Sequence, residues 1–137
     1  MHTGETNLSM LIKHMNPKLN EGEYVFCSVK DIDSIDRKDT LFEFKEDEGV
    51  TTILEHTKAT QLGLEYHYIA SWITLKVHSA LEAVGLTAAF SNELAKHKIS
   101  SNVVAGYYHD HIFVDQKDAI KAINVLKALS QHYTDNL

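Results

Sequence analysis

His109-Asp110-His111 places two imidazoles at i and i+2, and in an extended segment such residues point to the same side, as two zinc ligands would. A zinc site needs a third and usually a fourth ligand, and Asp110 falls in the turn itself, so no resident metal is expected and metal binding stays an alternative. His78, Ser79 and Glu82 have the residue types of a hydrolytic triad, yet no Gly-x-Ser-x-Gly elbow accompanies them, and no catalytic residue is assigned. Gly63, Gly85 and Gly106 stand singly, which excludes a phosphate-cradling loop. Asp31, Asp33, Asp36 and Asp39 are spaced like calcium ligands, but the Gly and terminal Glu of the EF-hand loop are missing, so the segment reads as a solvated loop. Trp72, Tyr107 and Tyr108 could stack on a planar ligand, but aromatics of central strands belong in the core, and that is the reading taken. Cys27 has no basic neighbour in sequence to activate it and reads as a small buried hydrophobe. No cofactor is expected.

Composition narrows the class. The chain has 137 residues, with 13 Lys+Arg against 19 Asp+Glu and a net charge of -6. Arg37 is the only arginine, and bidentate recognition of phosphate or guanine rests mainly on Arg, which argues against nucleic acid as a partner. Met1 to Asn7 has neither a basic nor an apolar region, so no signal peptide is expected. The nearly apolar run from Tyr68 to Leu75 is far shorter than the ~20 residues of a membrane-spanning helix. A cytoplasmic chain without a membrane partner is the expectation.

These residues must be held by regular elements. Leu8, Leu11, Ile12 and Met15 match a helical period, with Thr6 as N-cap and Pro17 beyond the end. Glu23 to Val29, Leu41 to Lys45 and Val50 to Glu55 read as strands, with a turn at Glu46 to Gly49. A short helix from His56 to Leu62 ends at Gly63, and a strand apolar on both faces runs from Tyr66 to Val77. A helix follows from Ala83 to about Lys98, with Leu86, Phe90 and Leu94 on its core face. Strands at Asn102 to Tyr108 and His111 to Val114 are separated by His109-Asp110. Asp115 then caps a last helix with Ala119, Ala122, Ile123, Leu126 and Leu129 inward. This order predicts an α+β, ferredoxin-like antiparallel sheet with its helices on one face, in two halves, residues 1–65 with the leading helix and residues 66–137.

The stretch from Val84 to Ser100, continuing through Asn102-Val103-Val104-Ala105-Gly106-Tyr107-Tyr108 and the hairpin, resembles the first helix and following strands of an ACT domain, the amino-acid-sensing module of metabolic enzymes. With Gly4-Glu5-Thr6-Asn7-Leu8, Glu23-Tyr24-Val25-Phe26-Cys27 and Val77 to Ala89, the whole chain resembles a small bacterial family of uncharacterised ACT-like proteins, with two ACT-like halves in tandem. The resemblance implies a non-catalytic regulatory module that binds an amino acid where the first helix begins, and a homodimer formed through ACT-like sheets. It places the ligand at Ser79, Glu82, Val84, Gly85, Leu86, Thr87, Asn102 and Val103. A helix start offers N–H groups to a carboxylate, and Ser79, Glu82 and Asn102 offer polar groups to the rest of an amino acid. Val84 stands where the family has Pro, and Glu82 stands at or near its acid. The ACT fold also closes with a strand after its second helix; here that strand is missing, or an N-terminal strand such as Glu23 to Val29 replaces it. A structural or oligomerisation module that has lost its ligand is the alternative reading.

Overall fold

The computed structural model describes residues 7–77 and 84–135, with side chains described as far as His132. Helix α1 (Leu8–His14) is opened by Asn7, whose side chain accepts from the Met10 N–H at 3.1 Å. Thr6, the expected cap, lies outside the described residues. Met15 turns extended at the helix end, and Asn16 stands before Pro17, a position that disfavours the α region. The chain then enters an unexpected strand, β1 (Asn16–Leu19), which pairs with Ile73 to Lys76. Pro17 reads in sequence only as a helix stop, but an edge strand tolerates a residue without an N–H.

Two compact units follow from the packing, and one is inserted in the chain of the other: Glu21–Ser71 makes the inserted unit, while the described residues up to Asn20 join those from Trp72 onward in the flanking unit. In the inserted unit, β2 (Tyr24–Val29), β3 (Thr40–Lys45), β4 (Val50–Glu55) and the start of β5 (Ile69–Lys76) lie in the order β3-β4-β2-β5, all antiparallel. Helix α2 (His56–Gln61) covers Val25, Cys27 and Leu54 with Ala59. Gly63 ends it at φ +69°, with the Gly63 and Leu64 N–H groups bonded back to Thr60 and Ala59. Between β2 and β3 the expected loop contains two 3-10 turns, Ile32–Ser34 and Arg37–Asp39. Asp31 and Asp36 each accept from the N–H two residues on, so these carboxylates cap turns.

In the flanking unit, β5 continues through Trp72, and α3 (Leu86–Lys96), β6 (Ser101–Ala105), β7 (Asp110–Asp115) and α4 (Ala119–Asp135) follow. β1 pairs with β5, β5 lies beside β7, and β7 beside β6. The closing strand is thus supplied from the N-terminus, but by β1 and not by Glu23 to Val29. Leu86, Phe90 and Leu94 of α3 and Ala122 and Leu126 of α4 pack with Ile73, Leu75, Ile112 and Val114, and α1 adds Leu11 and Ile12. Each such large side chain contributes roughly 1.5–3 kcal/mol on burial. Strands β1, β5, β7 and β6 with α3 and α4 make an α+β, ferredoxin-like arrangement. The inserted unit repeats it, with 3-10 turns in place of the first helix. β5 is the fourth strand of one unit and the first of the other.

Candidate functional site at the start of helix α3

Gly85 caps α3 in the left-handed region at φ +96°, and the Ala89 N–H donates to its carbonyl at 2.9 Å to begin the helix. Glycine brings no side chain to bond the first helical N–H groups, which therefore keep their partial positive charge. Val84, just before, is 82% exposed, and Thr87 also faces outward. Leu86 is 3% exposed and belongs to the core, so only its backbone is available to a ligand. The close approach that Gly85 permits is taken by α1: a Cβ there would lie 3.1 Å from Leu8 Cδ2.

The turn between β6 and β7 returns the chain to this same end of the sheet. It spans Gly106 to His109, closed by the Gly106 N–H on the His109 carbonyl at 2.9 Å, and is longer than the expected His109-Asp110 pair. His109 Nδ1 lies 3.3 Å from the carbonyl oxygen of Val77, where β5 ends. Tyr107 and Tyr108 sit in this turn, 57% and 64% exposed, with their rings edge to face at 5.0 Å. Their expected place in the core is thereby corrected, because the strand ends at Ala105. Trp72 is half-buried, with its ring stacked at 16° on Phe113. In sequence, the signal for this end was the topology itself: a hairpin following β5 and α3 must bring its tip back to the β5 terminus.

His111 and His109 bond to different partners. His111 Nδ1 accepts from the Trp72 indole Nε1–H at 3.0 Å and lies 3.1 Å from Thr74 Oγ1. Among the described residues no group of three His, Cys, Asp or Glu is placed to hold a metal. Burial pushes the His111 pKa down, and the neighbouring His109 charge adds to this. Burial pushes the Asp110 carboxyl up, opposed by His109.

Of the ligand residues expected from sequence, Val84, Gly85 and Thr87 come together, with the Leu86 backbone between them. Ser79 and Glu82, like His78, lie outside the described residues. Asn102 and Val103 are not brought to Gly85. They begin the strand that leaves the opposite end of α3, an 11-residue helix that spans about 16 Å. Their side chains also alternate, Asn102 pairing with Phe113 and Val103 with Ile112, so they face opposite sides of the sheet. A groove of about 610 Å³ lined by Glu93, His97, Ile120, Lys121 and Leu129 lies between α3 and α4 and is likewise remote from the helix start.

The fold defines a tandem of ferredoxin-like units. ACT-domain profiles match residues 3–71 and again residues 68–128. The chain therefore belongs to the ACT-domain family and carries two such domains in tandem, and the two matches overlap at the beginning of β5. ACT domains are typically ligand-binding regulatory modules. A Vibrio cholerae protein of unknown function, described as a possible transport protein, is similar at 48% identity over 90% of this chain and 95% of that one, with a TM-score of 0.80. An Agrobacterium tumefaciens protein shares the fold at 15% identity, covering 85% of this chain and 89% of that one, with a TM-score of 0.68. Aspartokinase alpha and beta subunits share it at 12% identity, 83% and 96% coverage and a TM-score of 0.61. Among curated protein sequences none matches. No helix among the described residues is long and apolar enough to cross a membrane.

Proposed function

We propose that this chain is a non-catalytic regulatory module of the cytoplasm that binds a free amino acid at the start of α3. The observation that carries the reading is the left-handed Gly85 start of α3, whose cap makes no side-chain hydrogen bond among the described residues, in a chain of the ACT family. The carboxylate would meet the N–H groups of Leu86 and Thr87, Val84 would flank it, and Ser79 and Glu82 would take the ammonium group. With a single Arg in the chain, backbone N–H groups are the natural anion partners. Asn102 and Val103 enter through a homodimer: β6 is an edge strand, and antiparallel pairing with its copy would set the start of one β6 against the end of the other. That brings the partner's Asn102 toward the Gly85 end. No nucleic acid or membrane is needed as partner.

The experiment is a thermal-shift screen against the common amino acids. A ligand at about 100 times its Kd raises stability by roughly 2.7 kcal/mol. Thr87→Glu places a negative charge beside the bound carboxylate, while a carboxylate in the first helical turn itself favours the helix. The expected outcome is a variant that melts no lower than the parent and no longer responds to the ligand. Calorimetry should count one ligand per chain, since the inserted unit has only three-residue turns at the equivalent place. One observation favours a second reading, a structural module without a ligand: Leu8 already packs over Gly85. No melting shift with any amino acid at millimolar concentration, together with concentration-dependent sedimentation, decides for it.

A further inference from the structure

The histidine pair left unused by this reading sits in a defined polar network. The Asn20 backbone N–H donates to the Trp72 carbonyl at 2.9 Å, and Asn20 Nδ2 donates to the same oxygen at 3.2 Å and to Thr74 Oγ1 at 3.0 Å. Thr74 and the Trp72 indole both reach His111 Nδ1. An indole N–H can only donate, so Nδ1 carries the lone pair, and the ring is neutral with its proton on Nε2. Nε2 is set over the turn glycine, 3.1 Å from where a Cβ on Gly106 would stand. The His111 ring therefore touches the hairpin turn on one side and β5 on the other.

We propose that His111 is a proton-sensitive latch: neutral, it ties the turn of the β6–β7 hairpin to β5 through the Trp72 indole, and on protonation it turns donor against donor and lets that turn go while β7 stays beside β5. The turn that would be released holds His109, which reaches Val77, and Tyr107 and Tyr108 at the α3-start end. Burial first, and then the His109 charge, favour the neutral state of the ring. Lys18 of β1 is the cross-strand neighbour of Thr74, and Lys76 lies two residues along β5 on the same face. From the turn, His109 adds positive charge when protonated, and at the start of β7 Asp110 is the neighbouring acid. From β6 only Val104 and Gly106 face the ring among the described residues, and neither is charged.

The chain contains a single Trp, so its fluorescence reports the surroundings of this one ring. Once the latch opens, the indole N–H loses its imidazole partner and meets water, and the expected result for the intact protein is a red shift of emission on acidification with a midpoint below about 6.5, the ordinary His value. His111→Gln should abolish that step. Unchanged emission between pH 8 and 5, or the same step in His111→Gln, would overturn the proposal. Trp72→Phe keeps the ring stack but removes the donor, and the NMR titration of His111 should then move upward. An unmoved midpoint in that variant refutes the latch even if His111→Gln fails to fold.

Discussion

Gly85 shows how one residue can serve both the fold and the proposed site. Its φ of +96° lies where L side chains are strained, and Leu8 occupies the space a methyl group would need. Gly85→Ala is expected to cost about 2 kcal/mol, from the range of 1–3 for a non-glycine residue held in such a conformation. Urea denaturation checks this as a lowered midpoint at unchanged slope. A charged replacement there would confuse lost binding with lost folding, whereas Thr87→Glu leaves this packing alone. His111 yields a pH prediction. Its folded pKa is depressed, so the unfolded chain takes up the proton first. The stability it contributes is complete above about pH 6.5 and is lost as pH falls through the folded value. Asp110, raised by burial, acts in the other direction: its penalty is present at neutral pH and is relieved as pH falls through its own folded value. Denaturation midpoints between pH 8 and 5 should decline on acidification, and His111→Gln should flatten the upper part of that decline.

At the scale of elements, α3 ends in a strained cap. Lys98 has φ +60°, while the Ile99 N–H donates to the Leu94 carbonyl at 3.0 Å, an arrangement in which glycine is the usual residue. Lys98→Gly is expected to raise stability by up to about 1 kcal/mol, because the Cβ penalty of the left-handed conformation disappears; thermal melting checks it. Elements announced by strong local patterns were legible in the sequence. The Leu86, Phe90, Leu94 stripe and the Gly63 stop stand where periodicity and capping chemistry put them. Asp115, expected to cap the last helix, caps the 3-10 turn Gln116–Asp118 that leads into it, accepting from the Lys117 N–H at 3.0 Å. β1 was hidden because four residues containing a proline carry no strand pattern, and its partner lies more than fifty residues away. The same non-locality bears on the proposed site. Asn102 follows α3 in sequence, but a strand leaving a helix begins at the helix's far end. Tyr107 and Tyr108 looked like strand core because their strand was expected to continue past Ala105.

At the scale of the whole molecule, the sequence-level division and the packing cut the chain differently. The family matches run 3–71 and 68–128, yet α1 and β1 pack in the flanking unit. Leu11, Ile12 and Met15 are in that unit's core. Residues 66–137 alone would lack a closing strand and several side chains worth roughly 1.5–3 kcal/mol each. We expect residues 1–65 and 66–137, expressed separately, to give no cooperative melt, whereas mixing them or joining them restores it. Circular dichroism melts of the two pieces and their mixture measure this directly. If residues 66–137 melt cooperatively alone, β1 is dispensable.

β5 has a further consequence for how such a chain can change over generations. Ile69 points into the core of the inserted unit, and Ile73 and Leu75 point into that of the flanking unit. Because side chains alternate along a strand, adding or deleting one codon between Ser71 and Trp72 would turn one of these sets inside out. Length variation among descendants of this chain should therefore collect in turns such as Glu46 to Gly49, while β5 admits substitutions and no change of length.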